Sequence, residues 1–125
     1  KIRIYDETTK ELNITLDRAQ WQYPGHCNRI FSLKFFYDEP DLLISGGWDN
    51  NLHIWDLRLG RSIACIYGPS ISGDSIDCKD GLILTGSCRS TDQLELWDFG
   101  TRKLFRTVDW EYGSSFEKLN VYAAQ

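Results

Sequence analysis

Several classes of protein are excluded by what this chain has little of. Its four cysteines, Cys27, Cys65, Cys78 and Cys88, fall in no CxxC pair and at no Cys/His metal spacing, so neither a zinc module nor a redox pair is written here. They read as reduced, mostly buried thiols of an intracellular protein, with a bridge between neighbouring strands as the alternative; the cytoplasm is the expected compartment, and a nuclear or cytoskeletal/ciliary place stays open. There are two histidines and three prolines. No methionine is present and the first residue is lysine, so the chain reads as a piece of a longer one. No apolar run approaches the roughly eighteen residues of a helical membrane span, and no signal peptide is visible. Basic excess is missing too. A net charge of −4 and a pI near 5.1, without a basic, aromatic-interleaved stretch, speak against direct nucleic-acid binding. No cofactor is expected.

What remains has the composition of a globular chain, 42% apolar and 26% charged. Its most informative stretch runs from Gly25-His26 to Trp55-Asp56. Residues 30–36, 42–44, 52–55 and 63–67 are β-rich runs bounded by Gly, Pro, Asp or Asn, as short antiparallel strands are. Asp49-Asn50-Asn51 suits a hairpin turn, because Asn and Asp tolerate left-handed backbone angles. Four short strands make one small sheet with two apolar faces, which cannot bury both alone.

These residues resemble the WD-repeat (WD40) family, whose units run from a Gly-His to a Trp-Asp. Residues 45–56, SGGWDNNLHIWD, fit the family's Ser-Gly-Ser-x-Asp-x-Thr-Ile-x-Leu-Trp-Asp pattern with conservative departures. The resemblance implies an all-β fold of propeller blades, each a four-stranded antiparallel sheet, here part of an incomplete propeller. It also implies that His26, Ser45, Asp49 and Trp55 join in a structural hydrogen-bond network. The physical requirement is independent: a buried imidazole, hydroxyl, carboxylate and indole N–H must each find a partner. Ser45, His26 and Asp49 also contain the ingredients of a nucleophile triad. No nucleophile-elbow sequence surrounds Ser45, and a structural role is the expectation, with no catalytic residue assigned.

The same phrasing recurs. Ile2-Arg3-Ile4-Tyr5-Asp6 and Leu12-Asn13-Ile14-Thr15-Leu16 read as the second half of a blade, residues 1–16. Residues 17–24 form an insertion loop carrying Trp21, costly to leave wet and therefore a candidate partner contact. Residues 25–67 are a complete blade and 68–108 a second, divergent one. Residues 109–125 read as a connector and the first strand of a further blade. Trp97-Asp98 follows Trp55-Asp56 after 42 residues, within the range of propeller repeats. In the second blade Gly68-Pro69 replaces Gly-His, residues 88–91 lengthen the tip, and Asp92 is a doubtful equivalent of Asp49. A softer blade without the full network is expected.

In this family partners bind the rim or the face carrying the first-strand starts and the second-to-third-strand turns. By position that face offers Arg29, Phe31 and Trp48, with Arg89 from the second blade. An arginine beside two aromatics has the composition of a binding hot spot. His53 reads as a packing or surface residue and the acidic loop Asp38, Glu39, Asp41 as a solvated turn, with no metal expected at either. The resemblance implies a non-catalytic scaffold for protein–protein interaction in a larger assembly, its partners being proteins or peptides and the unseen blades of its own propeller. The alternatives are a histone-tail or ribonucleoprotein adaptor, or the structural propeller of a multidomain enzyme or of a cytoskeletal or ciliary complex.

Overall fold

The computed structural model describes residues 1–17, 23–109, 121, 123 and 124. Trp21, most of the insertion loop, and most of the connector and further strand at 109–125 lie outside the described residues.

Ten strands and no helix make up the described chain. A two-stranded sheet pairs β1 (Ile2–Tyr5) with β2 (Leu12–Leu16). A four-stranded meander follows: β3 (Ile30–Phe35), β4 (Leu42–Gly47), β5 (Asn51–Asp56) and β6 (Arg61–Tyr67), in that spatial order. A second meander orders β7 (Ile76–Lys79), β8 (Leu82–Gly86), β9 (Leu94–Asp98) and β10 (Lys103–Val108) likewise. All pairings within the sheets are antiparallel. The all-β class and the four-stranded blade are therefore as the resemblance implies.

The sheets bury each other's faces. Ile2 and Leu16 of the first sheet pack on Leu43 and Trp55 of the first blade. On that blade's other face, Ile44, Leu52, Ile54 and Ile66 meet Ile76, Cys78, Ile83 and Trp97 of the second blade, with Ile71 from the connection between them. The second blade's far face carries Leu94 against Val121 and Ala124. Because β4 and β5 are covered on both sides, five or more consecutive residues of each are buried, and the alternation of a one-sided sheet disappears. The innermost strands are tied directly. Lys34 on β3 pairs with Asp77 on β7 at 2.9 Å, and Ser32 Oγ donates to Asp74 Oδ1 at 3.1 Å.

Three turns have the same construction. At the ends of β1, β5 and β9, an aspartate carboxylate accepts backbone N–H groups of the turn that follows: Asp6 from Thr8 and Thr9, Asp56 from Arg58 and Leu59, Asp98 from Thr101. Four residues after each aspartate the chain turns through a left-handed residue, Lys10 (φ 60°), Gly60 (φ 62°) and Arg102 (φ 59°). Beside each turn the strand that follows, β2, β6 or β10, carries a bulge, opposite Ile4/Tyr5, Ile54/Trp55 and Leu96/Trp97. The aspartate of the Trp-Asp pair is thus a turn cap, a role the sequence reading did not assign.

All four cysteines are free, so the alternative of a bridge does not arise. The expectation of mostly buried thiols needs correction: only Cys78 is buried, Cys65 and Cys88 are half-buried, and Cys27 is exposed. Burial pushes the Cys65 thiol up to about 11.

Candidate functional site

The first blade brings His26, Ser45, Asp49 and Trp55 together. Ser45 and Trp55 stand on β4 and β5, adjacent strands of one ladder. His26 reaches them from the segment before β3, and Asp49 from the turn between β4 and β5. Trp55 Nε1–H donates to Ser45 Oγ at 2.8 Å, and Ser45 Oγ lies 2.7 Å from His26 Nε2. His26 Nδ1 lies 2.8 Å from Asp49 Oδ2, which also accepts the Cys27 N–H at 2.9 Å. The proton order follows. Ser45 Oγ accepts from the indole, so its own proton goes to His26 Nε2, and His26 Nδ1–H donates to the carboxylate. Burial holds the His26 imidazole below its ordinary pKa, against the pull of Asp49, which fits a neutral ring. Burial pushes Asp49 up, but His26 and the Cys27 N–H together outweigh it and keep the group ionised.

Ser–His–Asp in this order is also the connectivity of a hydrolytic triad. Here Ser45 has no exposed surface and its oxygen already accepts the indole proton. The His26 and Asp49 side chains are 2% and 1% exposed. No substrate carbonyl can reach this hydroxyl in the folded blade, and the arrangement clamps two strands, β4 and β5, to the segment before β3 and to the turn between β4 and β5. Gly25 completes it: a Cβ there would stand 2.8 Å from Trp55 Cη2, and its φ of 85° suits glycine.

His53, read from the sequence as a packing or surface residue, is a buried member of the same cluster. Its ring meets His26 edge-on with centroids 4.5 Å apart, and its Nδ1 lies 3.0 Å from Ser62 Oγ. Burial, aided by His26, pushes its pKa down to about 4. One ligand-type atom from each of His26, Asp49 and His53 falls within 4.8 Å of the others. A cation between them would have to displace the proton that His26 shares with Asp49.

The second blade solves the same problem differently. Trp97 Nε1–H donates to Thr85 Oγ1 at 3.1 Å, so the indole–hydroxyl half persists. Counting back from the tryptophan, Glu95 occupies the strand position of His53, and its buried carboxylate pairs with Arg89. Arg89 further donates to Ser87 Oγ and to the Asp92 carbonyl. Asp92 has a φ of 51°, matching Asn50 (φ 56°) rather than Asp49. Arg89, a partner candidate by position, is held by its own blade tip. A charged residue two places before Trp97, on a strand that must be buried, was the available signal for this pair.

Arg29, Phe31 and Trp48 form a single surface cluster. Phe31 and Trp48 rings are 4.7 Å apart, and Arg29 Cζ lies 5.7 Å from the Trp48 ring centre. Register explains the exposure. Ile30 pairs with Gly47 and Ser32 with Gly46, leaving Phe31 as the extra residue of a bulge that turns its side chain outward. Gly47 permits the close approach beneath: a Cβ there would collide with the Arg29 carbonyl oxygen and with the Ile30 Cα at 3.1 Å. Phe31 remains 37% and Trp48 44% exposed.

Residues 18–56 match the family model described as WD domain, G-beta repeat. Among curated proteins, the chain is similar to Mitochondrial division protein 1 of Neurospora crassa, 34% identical over 75 residues, covering 59% of this chain and 11% of that protein. It is also similar to a WD repeat domain-containing protein 83 homolog of Dictyostelium discoideum, 31% identical over 98 residues, covering 74% of this chain and 29% of that protein. Elongator complex protein 2 of Danio rerio is 29% identical over 103 residues, covering 73% of this chain and 12% of that protein. The chain thus spans less than a third of each of these relatives.

Proposed function

The chain is a stretch of WD40-repeat propeller, and from that premise we propose that it is a non-catalytic docking platform, engaged through the cluster of Arg29, Phe31 and Trp48. The observation that carries this reading is the bulge at Phe31, which moves an aromatic ring out of the blade and against Trp48. Two touching aromatics beside an arginine, left half in water, favour a partner that covers them. The relatives carry names as different as mitochondrial division and the Elongator complex. That diversity supports docking in general and favours no single assembly. We place the protein in the cytoplasm, in keeping with four free thiols; fractionation of cells expressing the full protein checks this.

The test is affinity capture with the full protein and its Trp48→Ala and Arg29→Ala variants. Each variant should lose partner affinity by about 2 kcal/mol, roughly thirtyfold, without a change in melting temperature. Retention of every partner by both variants refutes the assignment.

A second reading, a hydrolase built on Ser45, has one observation in its favour: the hydrogen-bond order of Ser45, His26 and Asp49. Burial of all three weighs against it. Hydrolase activity that disappears in Ser45→Ala while the fold persists would reverse this preference.

A further inference from the structure

At the other end of β3, away from Phe31, the strand runs out between the two blades into a cleft of about 600 Å³, in the size range of ligand sites. Phe36 and Phe99 form its floor, with ring centres 4.7 Å apart, and the buried Cys78 thiol closes the base by donating to the Phe35 carbonyl at 3.4 Å. Phe35 and Tyr37 stand at its mouth, 52% and 91% exposed. No packing requirement accounts for a tyrosine so completely in water.

The charges around this mouth are unequal. Four carboxylates, Asp38, Glu39, Asp77 and Asp80, line the cleft together with Lys34 and Lys79. Lys34 is taken by Asp77. Arg58, whose field Glu39 shares, is held by Asp56 and Asp41. Among the described residues no ion pair engages Asp38, Glu39 or Asp80. The cleft therefore combines exposed aromatic faces with three carboxylates outside any ion pair among the described residues, against one remaining lysine, Lys79.

We propose that this cleft between the blades binds a peptide segment through an arginine side chain next to an apolar residue. A guanidinium stacks flat on an aromatic face while its N–H groups fork to carboxylates, which an ammonium cannot do. The apolar neighbour occupies the Phe36–Phe99 floor. This site is separate from the Trp48 cluster, because Phe31 and Phe35 stand near opposite ends of the same strand, roughly 13 Å apart at about 3.3 Å per residue.

The experiment titrates the full protein with a fluorescein-labelled acetyl-Gly-Arg-Leu-Arg-Gly-amide peptide and with its citrulline counterpart, which keeps the shape and removes the charge. The arginine peptide should bind, weaken with added salt, and lose about tenfold in affinity when citrulline replaces arginine. Tyr37→Ala, and Asp38→Asn combined with Glu39→Gln, should each weaken it by about fivefold or more. Trp48→Ala should leave it unchanged. Tyr37 is nearly all exposed, so its variant keeps the fold, and an unaltered melting curve verifies that. Equal binding of the citrulline peptide, insensitivity to Tyr37→Ala, or no binding of the arginine peptide at roughly 1 mM each overturns the proposal.

Discussion

Ser45 is the residue through which the first blade's polar core is connected. Its hydroxyl accepts from Trp55 and faces His26 Nε2, so Ser45→Ala strands two buried groups at once. We expect a loss of about 2–4 kcal/mol in urea unfolding, largely restored by Ser45→Thr, since Thr85 already plays this part in the second blade. The neutral imidazoles predict a pH dependence of definite sign. His53 is held near 4 in the fold against about 6.5 in the unfolded chain. As pH falls, the unfolded chain therefore takes up its proton first. Stability is complete above about 6.5 and declines as pH falls from there to about 4, by about 3 kcal/mol for His53 alone. His26, also held down, acts in the same direction. Unfolding midpoints measured between pH 7.5 and 4.5 check this, and a flat profile would mean charged rings inside the blade. A smaller effect is expected at Arg102, a left-handed residue in the place that Gly60 takes in the first blade. Arg102→Gly should stabilise by about 1 kcal/mol in the same assay.

At the scale of strands and turns, the chain was legible where chemistry repeats and opaque where geometry does. The family resemblance singled out His26, Ser45, Asp49 and Trp55, and the need of each buried polar group for a partner supported it. Arg29, Phe31 and Trp48 were singled out by the positions that the resemblance implies, but the reason for their exposure was not. The bulge at Phe31 changes the parity of β3 partway along, and parity is what an alternation argument assumes. The turn caps at Asp6, Asp56 and Asp98 were missed because the Trp-Asp pair draws attention to its tryptophan. The Arg89–Glu95 pair was missed because the lengthened tip, residues 88–92, conceals which of its side chains turns back to the strand, although Glu95 itself aligns with His53 when counted back from Trp97. Gly47 tests the register directly. A methyl group there collides with the Arg29 backbone, so Gly47→Ala should cost about 1–3 kcal/mol and change Trp48 fluorescence by moving Phe31 away from it.

For the molecule as a whole, stability resides between blades as much as within them. Ile76 and Ile83 of the second blade are buried against Ile44, Leu52 and Ile54 of the first. Ile83→Ala should cost about 2–5 kcal/mol. Its effect on hydrogen exchange should extend to β4 and β5, in the blade that the substitution does not touch. Protection lost only in β7–β10 would show the blades to be independent units.

The three aspartate-capped turns suggest a modular consequence. Each closes upon its own carboxylate, so the tips should be interchangeable cassettes. Transplanting Arg58, Leu59, Gly60 and Arg61 in place of Thr8, Thr9, Lys10 and Glu11 should leave melting within about 1 kcal/mol of the parent. The splice would make the seam after a Trp-Asp a natural place to graft an epitope or a second recognition loop.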